Sequence, residues 1–500
     1  MAAVAPLPRP AAPVGAGVAR RALDDRRRWL ALVALCIGQL MIVLDVTIVN
    51  VALPSIQSSL HFSPTSLAWV VNGYLIGFGG LLLLAGRLGD LLGRRRVFLL
   101  GLAGFTVASI FCGLAPTGEL LVVARFVQGV AASAIGAMVL GILVTLFPTQ
   151  QQTARAMSVY AMVASMGGAI GLLAGGTLTQ ALSWHWIFFV NVPIGLAAMA
   201  LGFALIPAHV GSGLRHGVDV VGAVLVTAAP MLAIYTILQA SESGWTTLRT
   251  LWLGTVSVLV AALFVAVESR VRAPLVPLRI FRSRNVSGAN LVRALFPVGM
   301  FGSLFIGTLY VQKVLGYDAL RAGLAFLPQA LAIGTFSMLV VGRLVDRFSL
   351  KTTLLLGLLL VASGLALFAR MPLAASYPVD VLPVTLLIGM GAGLIFMPSV
   401  ALAMSDAPRA DSGVASGLAN VALQIGAALG VAVLAGVASD HARSLVAAGV
   451  PGRVALASGY QLALLVASGC VLAAVAIGAW VLRSPAAPRV EPVAAAVGAD

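Results

Sequence analysis

An aspartate stands inside an otherwise apolar stretch, Met41-Ile-Val-Leu-Asp45-Val-Thr-Ile-Val49. Placing a charged side chain in hydrocarbon costs roughly 2.5–3.5 kcal/mol on insertion scales, so Asp45 is expected to face protein or a wet cavity. Burial works against its charged form, which suits a group that takes up and releases protons. The alternative is a static partner that only pins helices together. Arg125 lies inside a second apolar stretch. If both stretches are helical, each charge is six residues from the same face, ~9 Å deep at 1.5 Å per residue. Gln128 and Gly129 share the Arg125 face at i+3 and i+4. Gln128 is placed either to bind a substrate or to support Arg125. The remaining carboxylates near apolar stretches, Glu119, Asp219, Glu268 and Asp380, fall at their ends.

Other chemistry is sparse. Cys36, Cys112 and Cys470 all lie in apolar stretches, which argues against disulfides and against a metal cluster. His185 is isolated, and no Gly-x-x-x-x-Gly-Lys-Ser/Thr loop offers a nucleotide phosphate site. No cofactor is expected, and no clustered nucleophile, base or metal ligands suggest an enzyme. A polar loop, Gly86-Arg-Leu-Gly-Asp90-Leu-Leu-Gly93-Arg94-Arg95-Arg96, reads as a gate, with Asp90 able to pair with a neighbouring arginine or a helix N-terminus. Gly167, Gly171 and Gly175 recur every fourth residue, with Gly176 following, and form a flat stripe for close helix contact. That contact is either one that slides or ordinary packing.

The elements that must position these groups are membrane helices. Hydrophobic residues are 60% of the 500, charged residues 9%, and the mean hydropathy is +1.05. About 20 apolar residues cross a bilayer as a helix. Fourteen such spans are predicted: 30–51, 66–86, 97–115, 119–142, 157–179 and 184–206; a middle pair at 217–239 and 249–268; then 291–312, 322–342, 351–370, 380–401, 413–437 and 458–482. The longest loop, about 269–290, is too short for a folded catalytic domain. With the N-terminus placed in the cytoplasm, 23 of the 31 Lys and Arg residues fall on the inner side and six on the outer. The positive-inside rule therefore accounts for the +15 charge better than nucleic-acid binding, and puts both termini in the cytoplasm. The first span is too long for a signal-peptide core and no small-residue cleavage site follows it.

One loop recurs: Gly342-Arg-Leu-Val-Asp346-Arg347 repeats Gly86-Arg-Leu-Gly-Asp90 at an offset of 256 residues. A weaker pair, the glycines at 129 and at 389–393, keeps nearly the same offset. A duplicated six-helix unit explains both if two helices are inserted between the copies. The expected division is a disordered basic tail 1–28, a six-helix bundle 29–206, two linker helices and a cytoplasmic loop 207–290, a second six-helix bundle 291–483, and a disordered tail 484–500.

Several motifs resemble the major facilitator superfamily, and among its branches the fourteen-helix drug:proton antiporters. Leu44-Asp45-Val-Thr47-Ile-Val-Asn50-Val-Ala-Leu-Pro54 is similar to that branch's first-helix signature. Trp69-Val-Val-Asn72-Gly-Tyr74, the Gly86–Arg95 loop, Arg125-Phe-Val-Gln128-Gly129, the Gly167–Gly176 stripe and Trp184-His-Trp186-Ile-Phe-Phe-Val-Asn191-Val-Pro193 resemble its other motifs. Two features depart. Leu172 stands where the fifth-helix motif usually has proline, and 322–342 lacks the acidic residue of dication exporters.

The resemblance implies an all-α membrane bundle of two pseudo-repeated six-helix halves plus two inserted helices. It implies efflux of small amphipathic drug-like compounds across the cell membrane by alternating access, by a monomer whose partners are the substrate, protons and the lipid bilayer. It further implies a cavity lined by the first and fourth helices, hence an Asp45–Arg125 pair that couples protons, with Asn50 and Gln128 as candidate cavity residues. Gly86, Asp90, Gly93, Arg94 and Arg95 would form the cytoplasmic gate. Transport of one specific metabolite or lipid is the alternative, ahead of a channel or a membrane enzyme.

Overall fold

The structure is a computed structural model that describes residues 14–147, 149–207, 219–271, 274–276, 278–406 and 412–483. Fourteen helices are long and apolar enough to span a membrane, and no strand occurs among the described residues. They are α1 Val14–Ser59, α2 Ala68–Leu92, α3 Arg94–Gly113, α4 Gly118–Leu146, α5 Gln150–Ala181, α6 Trp186–Leu205, α7 Val220–Ser243, α8 Leu248–Glu268, α9 Arg284–Val314, α10 Ala319–Arg347, α11 Leu350–Phe368, α12 Tyr377–Met404, α13 Ser412–Ala447 and α14 Gly452–Val481. In hydrocarbon each backbone group must be bonded within the segment, which leaves helices as the solution for such apolar runs. Short polar residues start many of them. Thr117, Asp219, Thr247, Ser283, Asp318 and Ser349 each accept a bond from the backbone N–H three residues on.

Two differences from the expected elements are informative. Helix α1 starts at Val14, inside the segment expected to be a disordered tail. Its Ala-, Arg- and Leu-rich start favours helix, so the first span extends without a break. Residues 1–13 and 484–500 lie outside the described residues. Helix α6 is also interrupted: a four-residue turn, Trp186–Phe189, precedes Asn191–Leu205. Pro193 cannot supply a backbone N–H to the helix there.

Helices α1–α6 pack on one another, as do α9–α14. Two seams join these halves, α2 against α13 and α5 against α10. Glycines permit both approaches. A Cβ on Gly79 would stand 2.7 Å from Gln424, and one on Gly417 would stand 2.6 Å from Leu83. On the other seam, a Cβ on Gly323 would strike the Leu172 carbonyl, and one on Gly176 would stand 2.7 Å from the Leu320 Cα. At the end away from the Gly86–Arg96 loop, Gln312 Nε2 donates to the Val51 carbonyl at 2.9 Å, and Lys313 Nζ donates to Gln57 Oε1. The inserted pair α7 and α8 pack together. Of the two, α7 leans on α2 and α13, with Thr227 beside Gly80, whereas α8 exposes Trp252, Val258, Leu259 and Leu263.

Candidate functional site

Four helices bring polar groups to one point inside the first half. Asp45 on α1 is fully buried. Its Oδ2 accepts from Arg125 Nη1 on α4 at 2.5 Å, the short contact of a charge-assisted bond. Its Oδ1 accepts from Gln128 Nε2 at 2.8 Å and from Asn191 Nδ2 on α6 at 3.4 Å. Gln128 is fixed at both ends: Nε2 also donates to Ser109 Oγ on α3 at 2.8 Å, and Oε1 accepts from Arg125 Nη1 at 2.6 Å. Arg125 Nε donates to the Val70 carbonyl of α2 at 3.0 Å, and the guanidinium lies 4.4 Å from the Tyr74 ring centroid. The carboxylate is therefore both neutralised and hydrogen-bonded, the two conditions that make a buried charge tolerable. Its bonds tie α1 to α4 and α6, and Gln128 extends the network to α3.

The structure brings Asp45, Arg125 and Gln128 into one network and leaves Asn50 outside it. Neither cavity candidate opens on free space. Gln128 is fully buried in the network, and Asn50 is buried with its Nδ2 donating to the Val46 carbonyl of its own helix at 2.6 Å. A helix i–4 carbonyl is the nearest acceptor for a side-chain amide in an apolar span. An open cavity of about 820 Å³ instead lies between α10 and α12, where Tyr317, Arg321, Leu331, Phe336, Tyr377 and Met390 are among its lining residues.

The loop residues form a second cluster. Gly93 closes α2 at φ 99°, a conformation that favours glycine, and lets α3 begin at Arg94. Asp90 Oδ1 accepts from Arg94 Nη2 at 3.2 Å, and Arg94 Nη1 donates to the Gly141 carbonyl of α4 at 2.9 Å. Arg95 Nη2 donates to the Phe203 carbonyl of α6 at 2.5 Å, and its guanidinium lies 4.9 Å from the Phe203 ring centroid. Gly86 faces open space. The glycine stripe of α5 lies on α1. Cβ atoms on Gly167, Gly171 and Gly175 would meet Val43, Leu44 with Thr47, and Ile48 in turn, while Gly176 faces α10 across the seam.

Sequence reasoning missed three contributors. Ser109 is one small hydroxyl in an apolar span, with no signal beyond its type. Asn191 and Tyr74 stand in motifs that were noticed, but their role depends on helix rotation. Arg293 is a second arginine inside a predicted span, 291–312. It is buried, with Nε donating to the Ala419 carbonyl at 2.8 Å and Nη1 to Ser399 Oγ at 2.8 Å, and it ties α9 to α12 and α13.

Comparison with known proteins identifies the family. The model of the Major Facilitator Superfamily matches residues 35–431. The puromycin resistance protein of Streptomyces alboniger is 40% identical over 92% of each chain. The lincomycin resistance protein of Streptomyces lincolnensis is 39% identical over 83% of this chain and 85% of its own. Among solved structures, a bacterial homologue of the lysosomal transporter Spinster superposes with a TM-score of 0.65 at 15% identity, covering 92% of this chain and 99% of that one. A peptide transporter matches equally, at 0.65 and 16% identity over 91% of this chain and 96% of that one. Fold, motifs and relatives agree: the chain belongs to the Major Facilitator Superfamily.

Proposed function

We propose that this transporter exports small drug-like molecules across the cell membrane in exchange for protons, by alternating access, as a monomer with both termini in the cytoplasm. The observation that carries the reading is the Asp45–Arg125 pair, a buried titratable group bonded to three other side chains on two helices. Its relatives include a puromycin and a lincomycin resistance protein.

The geometry supports a specific mechanism. A proton on Asp45 cancels the charge that Arg125 neutralises, and a neutral carboxyl holds Arg125 less strongly. Arg125 then keeps only neutral acceptors, the Val70 carbonyl and Gln128 Oε1, and the Tyr74 ring. A buried guanidinium so placed favours rearrangement toward water. Deprotonation restores the pair and reties the four helices. The open groove between α10 and α12, mostly apolar and with Arg321 among its lining residues, would suit an amphipathic molecule. Asp90 and Arg94 at the opposite loop would act as the cytoplasmic latch.

The test is accumulation in intact cells of a compound panel that includes puromycin and lincomycin. Cells expressing the wild type should hold less of at least one compound than cells expressing Asp45→Asn, and a protonophore should abolish the difference. Equal accumulation at equal membrane expression for every compound would reject the reading.

A further inference from the structure

Two buried carboxylates lie on the inserted helices, apart from the Asp45 network. Asp219 caps α7, and its Oδ1 accepts from the Gly222 N–H at 2.7 Å. Glu268 ends α8, and its Oε2 accepts from the Val276 N–H at 3.2 Å. Each side chain thus has one oxygen in use. The other two oxygens, Asp219 Oδ2 and Glu268 Oε1, are buried without a hydrogen-bond partner, and the residues are only 8% and 3% exposed. Both point at one place. A Cβ built on Gly222 would stand 2.6 Å from Asp219 Oδ2 and 2.7 Å from Glu268 Oε1. The two oxygens are therefore no farther apart than the sum of those distances.

Two ionised carboxylates repel strongly at that range once water is excluded. No Lys, Arg or His among the described residues forms an ion pair with either. An apolar cluster, Ala223, Phe264, Leu418, Leu83, Leu275 and Val276, is built from α7, α8, α13, α2 and the 274–276 segment. The charged residues that those elements carry nearby, Arg87 and Asp90 on α2 and Arg270 just past α8, make no ion pair or hydrogen bond with them.

We propose that Asp219 and Glu268 form a proton-binding pair, in which one carboxyl donates its O–H to the free oxygen of the other and the two together carry a single negative charge. Gly222 leaves the space in which they meet. The bridge fastens the adjoining ends of α7 and α8, and through α7 it braces the α2–α13 seam between the halves. Loss of the proton sets two like charges against each other and loosens that brace. The inserted helices then carry a second proton-binding element, independent of Asp45.

Asp219→Asn keeps the helix cap and Glu268→Gln keeps an acceptor for Val276, so each variant removes charge at nearly constant volume. Infrared spectra of the purified full-length protein at neutral pH should show a protonated-carboxyl band that Glu268→Gln loses and Asp45→Asn keeps. Thermal unfolding across pH supplies the second readout. The folded protein holds the bridging proton more tightly than the unfolded chain, whose carboxylates are hydrated. Stability from the bridge is therefore present in acid and lost as pH rises through the point where the folded pair releases its proton. The wild-type midpoint should fall over that range while both variants stay flatter. A Glu268→Gln spectrum identical to wild type, or three pH profiles that fall in parallel, overturns the proposal.

Discussion

Replacing Asp45 by asparagine separates the two things the ion pair does. The change keeps the side-chain volume and removes the charge. Arg125 stays buried without its counter-ion, and removing one member of a buried pair costs about 3–5 kcal/mol. The asparagine carbonyl can still accept from Arg125 Nη1, and one bond to a charged donor returns roughly 1.5 kcal/mol. The net expected loss is about 1.5–3.5 kcal/mol. Asp45→Asn with Arg125→Gln leaves no unpaired charge and should recover most of it, so a double-mutant cycle should show a favourable coupling energy of at least about 1.5 kcal/mol. Thermal unfolding of the three variants in detergent measures that quantity. Transport gives the second reading: the double variant should fold yet fail to drive export with a proton gradient, because nothing at position 45 titrates. A pH dye should detect proton release on substrate binding from the wild type only. Wild-type-like release from Asp45→Asn, or a double variant as unstable as the single one, would refute the reasoning.

Asp90→Asn removes a half-exposed ion pair, side chains 51% and 37% exposed, which is worth no more than about 1 kcal/mol. Transport should therefore drop while expression and unfolding temperature stay near wild type; normal transport across a range of proton gradients would end the latch reading. Gly323→Ala drives a methyl into the Leu172 carbonyl, and overpacking of this kind costs about 1–3 kcal/mol in the state where the α5–α10 seam is closed. The equilibrium should shift toward the seam-open state by roughly 5- to 150-fold, readable as changed cysteine accessibility along α10. Thr246→Cys should label from outside intact cells and Ser269→Cys should not; the reverse pattern would invert the proposed topology.

The number and order of helices were legible because hydrocarbon imposes a length and a composition that nothing else in a sequence imitates. The two halves were legible from one repeated loop. What pairs with what was only partly so. Asp45 and Arg125 are charges, and charges in apolar spans announce themselves. Gln128 is ambiguous in sequence because an amide serves a ligand as well as a neighbour, and only the rotation of α4 decides that it faces Asp45 and Ser109. Asn50 illustrates the same limit from the other side: its amide finds a carbonyl on its own helix, an outcome that residue type alone does not distinguish from a cavity contact. The start of α1 at Val14 is less legible, because an Ala- and Gly-rich stretch such as Val14–Ala19 suits helix and disorder alike.

The glycine stripe supplies the link between the ion pair and the rest of the molecule. Thr47 and Ile48 lie within one turn of Asp45, and they seat against Gly171 and Gly175 of α5 so closely that no side chain fits between. On its next face, α5 presents the Leu172 carbonyl to Gly323 and Gly176 to Leu320, both on α10 of the opposite half. Contacts this tight transmit displacement because close-packed helices have no slack to absorb it. A shift of α1 when Asp45 releases Arg125 therefore reaches the α5–α10 seam through α5, beside the direct α1–α9 bonds of Gln312 and Lys313. The opposite seam, α2 against α13, carries the inserted helices and the Asp219–Glu268 pair beside it. Each seam between the halves thus has its own titratable group within a few residues, Asp45 acting through a glycine-lined helix and the carboxylate pair acting through α7. If both proposals hold, protons bias both seams, which gives the two additional helices a reason to be where they are.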